Sequence, residues 1–486
     1  MKRIISLLLV SLMLLGLCAC TGKEEPKTDA AAAAFRAGFG KVCITPSYSV
    51  PMSGYGNSTQ RMSQGFLDYS YVSCIAVQDE KGSTALFVTL DVSGIYDHVI
   101  TELLAAVSDA TNIPEDRIML SATHTHSGPD LGSTHSSIIK YRGELKGFVS
   151  QACTDALNDL SPATLQTGST EVENMTFVRH YLMNDGSVYG PNFGSTSSGY
   201  KDHEREADNV MQLVRFVRAA KDKKDILMVN WQSHPVVAST GFTADGKAGR
   251  SMLSGDYISY MREHVEQEAD CLVAYYLGAS GNQNPNSYLP EEQKTVPTNV
   301  KDYGKQLGEY VVDALGNMKD VATGPVVAQH YVYVGQRDHT EDHLLDAAKQ
   351  VEELWTKTNS TTACYDLGRP MGIQSAYHAL SIISRSKAGA TKEMPINAIC
   401  FGDVGIATAP YEMFCQNGQA IKEGSPFETT IVMTLTGGHN NYIAADAAFQ
   451  YNEGSGSYEV HNRTFVRGTA EEVQNKLISM LEEIKG

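Results

Sequence analysis

Leu120-Ser-Ala-Thr-His-Thr-His-Ser-Gly-Pro129 is the stretch of this chain from which its fold can be argued. It overlaps an apolar run, Arg117 to Ala122, that predicts a buried strand. His124 and His126 follow in a turn set by a Gly-Pro pair. Histidine is the commonest nitrogen ligand of zinc, and α/β proteins place their chemistry where strands end. A lone His-X-His turn is equally compatible with ordinary hydrogen-bonded histidines, so the other strand ends must decide.

A strand–helix–strand unit leads into this turn. The run Thr84 to Val92 predicts a strand that ends near Asp91, and Asp97 to Ala110 has the apolar spacing of a helix capped by Asp97. With the strand at Arg117 to Ala122, the two strands should be parallel and joined by a right-handed crossover. Asp91 and His124 are therefore expected at the same carboxyl edge of one sheet.

Later strands end in turns that also carry polar side chains. His234, Glu412 and Tyr442 each follow an apolar run, although each alone could be a solvated or half-buried turn residue. Together they predict a site assembled from distant segments. The predicted fold class is α/β, or mixed α+β, in which strand–helix–strand units build a mixed sheet core flanked by helices, with the site at strand carboxyl ends. The runs are Ile226 to Trp231, Leu272 to Leu277, Asn397 to Phe401, Gly405 to Ala409 and Thr430 to Thr436.

The remaining patterns indicate scaffold. Val300 to Leu315 and Asp342 to Trp355 have helical apolar spacing, and Thr469 to Glu472 has the pattern of a capping box before a terminal helix. No Walker motif, dinucleotide-binding glycine pattern, GxSxG elbow or fixed-period repeat is present in the sequence.

The amino terminus has the pattern of a bacterial lipoprotein signal. Residues 1–19 combine a basic start with a short apolar core, and Cys20 lies where a lipobox places the lipidated cysteine. A plain secretory cleavage site is the alternative. Residues 20–34 are polar and alanine-rich, as in a tether, and the folded part is predicted at 35–486. A lipid on Cys20 would anchor the protein at a bacterial cell surface or a periplasmic membrane face.

Composition excludes one class of partner. The 486 residues carry a formal net charge of -17, which disfavours nucleic-acid binding because that needs a basic face. Of the nine cysteines, seven lie beyond Cys20, and they form no CxxC pair. They are expected to be buried apolar residues and not metal ligands or a disulfide framework.

Several of these segments together resemble the neutral/alkaline ceramidase family. They are Ala37-Gly-Phe-Gly-Lys-Val-Cys-Ile-Thr-Pro46, Gly54-Tyr-Gly56, the aspartate after TALFVTL, and THTHSGP. The resemblance covers most of residues 35–486 in scattered blocks. It implies a secreted or surface-bound zinc amidase, of the kind that releases the fatty acid from ceramide, with one Zn²⁺ per chain. The metal ligands that it implies are His124, His234, Glu412 and Tyr442.

The same resemblance implies roles for other residues. His126 would lie beside the metal as the proton carrier or oxyanion partner. Tyr458, within Tyr458-Glu459, and Arg179 would bind the substrate carbonyl. Asp91 and Asp256 are expected to orient the ligand imidazoles, although a plain strand-end cap explains each equally well. The expected reaction is cleavage of an N-acyl sphingoid or another N-acyl amide by zinc-activated water.

The chain departs from the family pattern in three ways, of which the first and the third weaken the case for ceramide itself. The family segment Gly-Asp-Val-Ser-Pro-Asn is replaced by Gly281-Asn-Gln-Asn-Pro-Asn286, which puts Asn284 where the family has serine. A serine nucleophile at that position is therefore impossible, whereas a zinc-water mechanism is unaffected. Cys43 replaces an aspartate, and the family's C-terminal immunoglobulin-like domain is expected to be absent.

Other classes remain open at this level. One is a non-catalytic surface lipoprotein that has the same fold and uses it to bind a ligand. Another is a metallohydrolase of a different substrate class, acting on esters or small amides. An amidohydrolase barrel also opens with His-X-His, but it requires eight strand–helix repeats, which the sequence does not show.

Overall fold

The computed structural model describes residues 34–55, 61–191, 199–240 and 249–486. The predicted signal at 1–19, Cys20 and all of the tether except Ala34 lie outside the described residues. Within the described ranges, the helices are all too short or too polar to cross a membrane.

Twenty-two strands are described, and most are short. They are β1 (Arg36–Cys43), β2 (Gly65–Phe66), β3 (Tyr71–Gln78), β4 (Thr84–Leu90), β5 (Ile118–Ala122), β6 (Ser161–Glu171), β7 (Phe177–Val178), β8 (Tyr181–Met183), β9 (Val188–Tyr189), β10 (Tyr200–His203), β11 (Val210–Arg218), β12 (Ile226–Trp231), β13 (Met252–Leu253), β14 (Leu272–Leu277), β15 (Gln283–Asn284), β16 (Lys319–Val321), β17 (Val326–Gln336), β18 (Thr391–Phe401), β19 (Val404–Thr408), β20 (Glu412–Met413), β21 (Thr429–Met433) and β22 (Tyr442–Ile443).

Eleven α-helices accompany them in the described ranges. They are α1 (Asp97–Thr111), α2 (Ser136–Asn158), α3 (Tyr257–Glu268), α4 (Pro290–Gln293), α5 (Val300–Leu315), α6 (Leu345–Thr358), α7 (Thr361–Gly368), α8 (Ala376–Ser386), α9 (Cys415–Gly424), α10 (Tyr458–His461) and α11 (Thr469–Lys485).

Two sheets form the centre of the protein. Nine strands make the larger, mixed sheet in the order β14-β12-β11-β6-β1-β3-β4-β5, with β16 beside β6, and the smaller sheet runs β17-β18-β19-β21. The predicted parallel pairing of β4 with β5 across α1 is confirmed. The pairs β12–β14 and β19–β21 are also parallel and are each joined through a helix, α3 and α9 respectively. Three strand–helix–strand units therefore direct their carboxyl ends toward the site.

The packing is a four-layer arrangement of helices and sheets. Alternating side chains of the two sheets face each other in one core, in which Phe87 and Phe216 of the larger sheet meet Phe401 of the smaller. The outer face of the larger sheet packs on α1, α2, α3 and α5, and that of the smaller sheet on α9 and α11. The α/β fold class is confirmed. The predicted sheet core consists of two sheets that pack face to face.

The sequence signals for helix ends were less reliable than the periodicity that predicted the strands. The N-cap of α1 is Tyr96 and not Asp97, which is the first residue of the helix. The capping box at Thr469 is wrong as well, because Gly468 in a left-handed conformation precedes the helix and Glu472 accepts a hydrogen bond from the Tyr333 hydroxyl. Six of the seven described cysteines are buried and all seven are free, as expected.

Candidate metal centre

The site lies where strands of both sheets end. His124 follows β5 by two residues and His234 follows β12 by three, both from the larger sheet. Glu412 and Tyr442 follow strands of the smaller sheet and face each other in the parallel pair β20–β22. A hydrogen bond from Gly437 N–H to the Leu120 carbonyl joins the two strand ends at 2.9 Å. The contact between the sheets thereby brings distant segments to one point.

Five of the predicted site residues come together at this point. Oε2 of Glu412 lies 3.1 Å from Nε2 of His124 and 3.0 Å from Nε2 of His234. Nε2 of His126 is 3.3 Å from Nε2 of His124. The phenol oxygen of Tyr442 is 3.4 Å from Nε2 of His234. Ring nitrogens of the three histidines all lie within 4.8 Å of one another.

Backbone carbonyls fix the tautomers of two of these rings. Nδ1 of His124 donates to the Ser93 carbonyl at 2.5 Å, and Nδ1 of His234 donates to the Ser280 carbonyl at 2.8 Å. A carbonyl oxygen only accepts, so the proton of each neutral ring is on Nδ1 and the lone pair is on Nε2. Both lone pairs face the Glu412 carboxylate.

The electrostatics of the centre favour a cation. Burial alone would raise the pKa of Glu412, but protonated imidazoles at His124, His234 and His439 hold it well below its usual range, and a bound cation would take the place of those protons. Burial, with His124 and His234 close by, lowers the pKa of His126 well below its ordinary value. The backbone at His124 is also strained, with φ at 68°, which is uncommon for a residue other than glycine and concentrates at functional sites.

These residues fit a divalent cation by their donor atoms. Two imidazole lone pairs, a carboxylate oxygen and a phenol oxygen converge, and with neither a cation nor a proton between them the lone pairs would face the carboxylate in repulsion. Nitrogen and oxygen donors of this kind are the ligands that zinc takes in proteins. His124, His126 and His234 form one group of three side chains that could hold a metal ion.

His126 lies on one side of the centre. Its Nδ1 is buried and has no hydrogen-bond partner among the described residues. Its ring meets the edge of the Tyr55 ring at 5.1 Å, and its backbone is held by Pro235 and by Arg61. The ring is therefore fixed against the centre while one of its nitrogens stays available to a bound molecule.

A buried ion-pair network holds the predicted substrate residues. Nε of Arg179 donates to Glu459 at 2.7 Å, and Nε2 of His180 lies 2.9 Å from the other oxygen of that carboxylate. The Arg179 guanidinium lies 5.5 Å from the centre of the Tyr442 ring and 5.4 Å from that of Tyr458. Arg179 and Tyr458 are thus beside the phenol of the metal centre.

Asp91 and Asp256 are not the groups that orient the imidazoles, because backbone carbonyls hold both Nδ1 atoms. Asp91 pairs with the buried Arg262 and accepts the Tyr71 N–H at 2.8 Å. Asp256 accepts the N–H groups of Val237 at 3.2 Å and Ala238 at 2.8 Å. Asp256 therefore fixes the turn after His234 through its backbone, and Asp91 neutralises a buried guanidinium.

The segment that departs from the family pattern, residues 281–286, supports the site through its backbone. The Gly281 carbonyl accepts from Arg179 at 3.0 Å, and the Gln283 carbonyl accepts from Nδ1 of His234 at 3.0 Å. The Asn282 side chain accepts the N–H of Cys415 at 2.8 Å. Oδ1 of Asn284 is buried without a partner among the described residues.

His439 was not predicted as a site residue. Its Nε2 lies 3.7 Å from Oε1 of Glu412, the oxygen turned away from the other imidazoles. With His124 and Glu412 it forms the second group that could hold a metal ion. A Cβ at Gly94 would lie 2.7 Å from its ring, so the glycine makes room for it. The Gly-Gly pair before it, which lets the chain turn sharply, was the available signal.

Fold and site together define a class of protein. It is a four-layer α/β protein with a centre at its strand ends that is lined by histidines and a carboxylate. The chain belongs to the neutral/alkaline non-lysosomal ceramidase family, because the model of that family's N-terminal region matches residues 35–295.

Curated relatives of the chain include two neutral ceramidases. That of Pseudomonas aeruginosa is 26% identical over 276 residues, which are 52% of this chain and 38% of the relative. That of Drosophila pseudoobscura pseudoobscura is 24% identical over 200 residues, 38% of this chain and 27% of the relative. The match thus spans well under half the length of each.

Solved structures show the same fold. The crystal structure of the Pseudomonas aeruginosa neutral ceramidase superposes with a TM-score of 0.67 at 18% identity, covering 93% of this chain and 74% of that one. A ceramidase complexed with C2 gives 0.66 at 18% identity, covering 93% and 75%.

Proposed function

We propose that this protein is a zinc-dependent hydrolase that cleaves an N-acyl amide. The observation that carries the proposal is the convergence of the Nε2 lone pairs of His124 and His234 on the Glu412 carboxylate, with the Tyr442 phenol beside them. Membership of the ceramidase family supports an amide as the bond that is cleaved. The test is to measure zinc content and hydrolysis of a panel of N-acyl amides, ceramide among them, with the purified protein.

The side chains divide the work of amide cleavage. His124, His234, Glu412 and Tyr442 would hold Zn²⁺, which lowers the pKa of a bound water toward 7 and polarises a carbonyl. His126 lies beside them, where it can take a proton from water and pass it to the departing nitrogen.

Tyr458 and Arg179 hold the acyl carbonyl. Burial raises the pKa of Tyr458, so its hydroxyl stays protonated and can donate a hydrogen bond to the carbonyl oxygen. Arg179, whose guanidinium lies beside both the Tyr442 and the Tyr458 ring, adds positive charge where negative charge develops on that oxygen. Glu459 and His180 keep the guanidinium in place.

His126→Ala is expected to separate metal binding from chemistry. The variant should lose about 10²- to 10⁴-fold in kcat, the usual contribution of general acid–base catalysis, because the proton carrier is gone. It should keep its zinc, because four other donors remain. Zinc content by elemental analysis and kcat on the preferred amide measure the two effects.

His330→Ala is the matched control, since His330 lies on β17 and bonds Asn397 away from the centre. It should retain both zinc and activity. A His126→Ala variant that keeps full activity would show that another group moves the proton.

We also propose that a lipid on Cys20 anchors the protein at an extracytoplasmic membrane face. The proposal is supported by the sequence pattern of residues 1–20 alone. Cys20→Ser should move the protein from the membrane to the aqueous fraction and abolish incorporation of labelled palmitate. Cys43→Ser serves as the control, because Cys43 is an exposed, free cysteine of the folded part. Retention of the label in Cys20→Ser would refute the anchor.

A further inference from the structure

Arg61 is a buried cation beside the metal centre, and it has no anionic partner among the residues that the structure describes. Arg61 is only 8% exposed to solvent. Nε donates to the Arg250 carbonyl at 2.6 Å, and Nη1 donates to the carbonyls of Ser53 and His126, the latter at 2.9 Å. Nη2 is buried, and within the described part of the chain it has no hydrogen-bond partner. Burial lowers the pKa of Arg61 to about 10.

The other buried arginines of the described residues all pair with carboxylates. Buried charges are usually paired because an unpaired one costs several kcal/mol in desolvation, which makes Arg61 the exception. The pairs are Arg179 with Glu459, Arg218 with Asp159, Arg262 with Asp91, Arg385 with Glu341 and Arg463 with Asp338.

A second guanidinium increases the local positive charge. Arg61 and Arg250 lie 5.0 Å and 5.3 Å from the centre of the same Tyr55 ring, and that ring meets the His126 ring. Two like charges on one ring repel each other, in a protein whose net charge is -17. Through Nε and Nη1, Arg61 forms a backbone clamp, in which its side chain holds the carbonyls of Ser53, His126 and Arg250. This clamp accounts neither for the unpartnered Nη2 of Arg61 nor for the guanidinium of Arg250 on the same ring.

We propose that Arg61 and Arg250 bind a carboxylate of the substrate, so that the substrate class is N-acyl amino acids. The inference rests on the proposed function. A guanidinium matches a carboxylate in shape and charge. Arg61 contacts the backbone of His126, so the anion must lie close to the scissile amide, and N-acyl amino acids carry a carboxylate one carbon from the amide nitrogen. In the reaction, water gives its hydroxyl to the acyl carbon and a proton to the nitrogen, which releases a fatty acid and an amino acid.

The test compares two amides of one fatty acid, N-oleoylglycine and N-oleoylethanolamine, with the full-length, zinc-loaded protein. They differ in a carboxylate against a neutral hydroxymethyl group. We expect kcat/KM to favour the glycine amide by about tenfold or more, and Arg250→Met to remove most of that preference, because a charge-assisted hydrogen bond is lost. Arg61→Met should do the same, and Arg61→Lys should keep part of the preference.

Arg467→Met is the matched control, because Arg467 also lies over an aromatic ring, Phe449, at 5.7 Å, but pairs with Asp446 near the surface. It should keep the preference. Equal rates on the two amides in the unchanged protein, or an undiminished preference in Arg250→Met, would overturn the anion site and leave the amidase intact. Loss of activity on both amides alike in Arg61→Met, with the preference kept in Arg250→Met, would assign Arg61 to the backbone clamp. Failure to hydrolyse any N-acyl amide would instead refute the proposed function.

Discussion

His234→Ala is expected to abolish both metal binding and hydrolysis. Nε2 of this ring faces Oε2 of Glu412 at 3.0 Å and the Tyr442 phenol at 3.4 Å, so its loss opens the centre of the donor set. Zinc should fall from about one per chain to near zero, and kcat/KM should fall by about 10³-fold or more, because the ion supplies both the nucleophile and the polarisation of the carbonyl. Elemental analysis and initial rates measure the two quantities.

The fold should survive this substitution. His234 lies after the end of β12, so the substitution removes none of the buried residues of that strand. Asp256 still holds the turn that follows His234. His343→Ala, at an exposed position, is the control and should keep zinc and rate. A His234→Ala protein that retains full zinc and full activity would refute the metal centre at its root.

Glu459→Gln is expected to have the largest effect on stability. Its carboxylate accepts from Arg179 at 2.7 Å and faces His180 at 2.9 Å, and the three side chains are almost completely buried. Removing the negative charge leaves the buried Arg179 guanidinium without the carboxylate that neutralises it, which costs about 3–5 kcal/mol. Urea denaturation should show that decrease in the free energy of unfolding. Activity should also fall, because Arg179 loses its fixed position beside Tyr442.

The pH dependence of stability follows from the same contacts. Although burial opposes ionisation, His180 and Arg179 hold the pKa of Glu459 well below the ordinary value of a glutamate side chain. A carboxyl whose pKa is lowered in the folded state stabilises the protein above its unfolded pKa, and that stability is lost as the pH falls below about 4.5 toward the folded value. The stability of the unchanged protein should decrease over that acidic interval.

Glu459→Gln should flatten this acid dependence, because it removes the titrating group. Glu353→Gln is the control, since Glu353 forms an exposed pair with Lys357 and its substitution should leave the free energy of unfolding unchanged within the error of the measurement. Equal free energies of unfolding for Glu459→Gln and the unchanged protein would show that the network adds no net stability.

Much of the core could be predicted because strand periodicity is strong where both faces are buried. The runs at β12 and β14 were predicted with the bounds that the structure has, and both strands are almost entirely buried. Helix ends were less predictable, since the left-handed Gly468 replaces the expected cap of α11. A cap depends on local backbone geometry, which a residue pattern does not specify alone.

The site was predicted in part for a similar reason. His124, His234, Glu412 and Tyr442 were found because each follows a strand, and strands of one direction end at one edge. The role of Asp91 was wrong because its partner, Arg262, lies on α3, 171 residues away along the chain. His439 was missed because its contact with Glu412 depends on the turn before β22.

The sequence by itself determined the strand–helix–strand units, the parallel direction of their strands and the residues that follow them, because side-chain periodicity and chain direction are local properties. Only the tertiary structure decided that two sheets, packed face to face through residues such as Phe87 and Phe401, bring the ends of β5 and β21 together. It also decided which buried charges are paired. Those outcomes depend on contacts between segments more than a hundred residues apart, which no local pattern encodes.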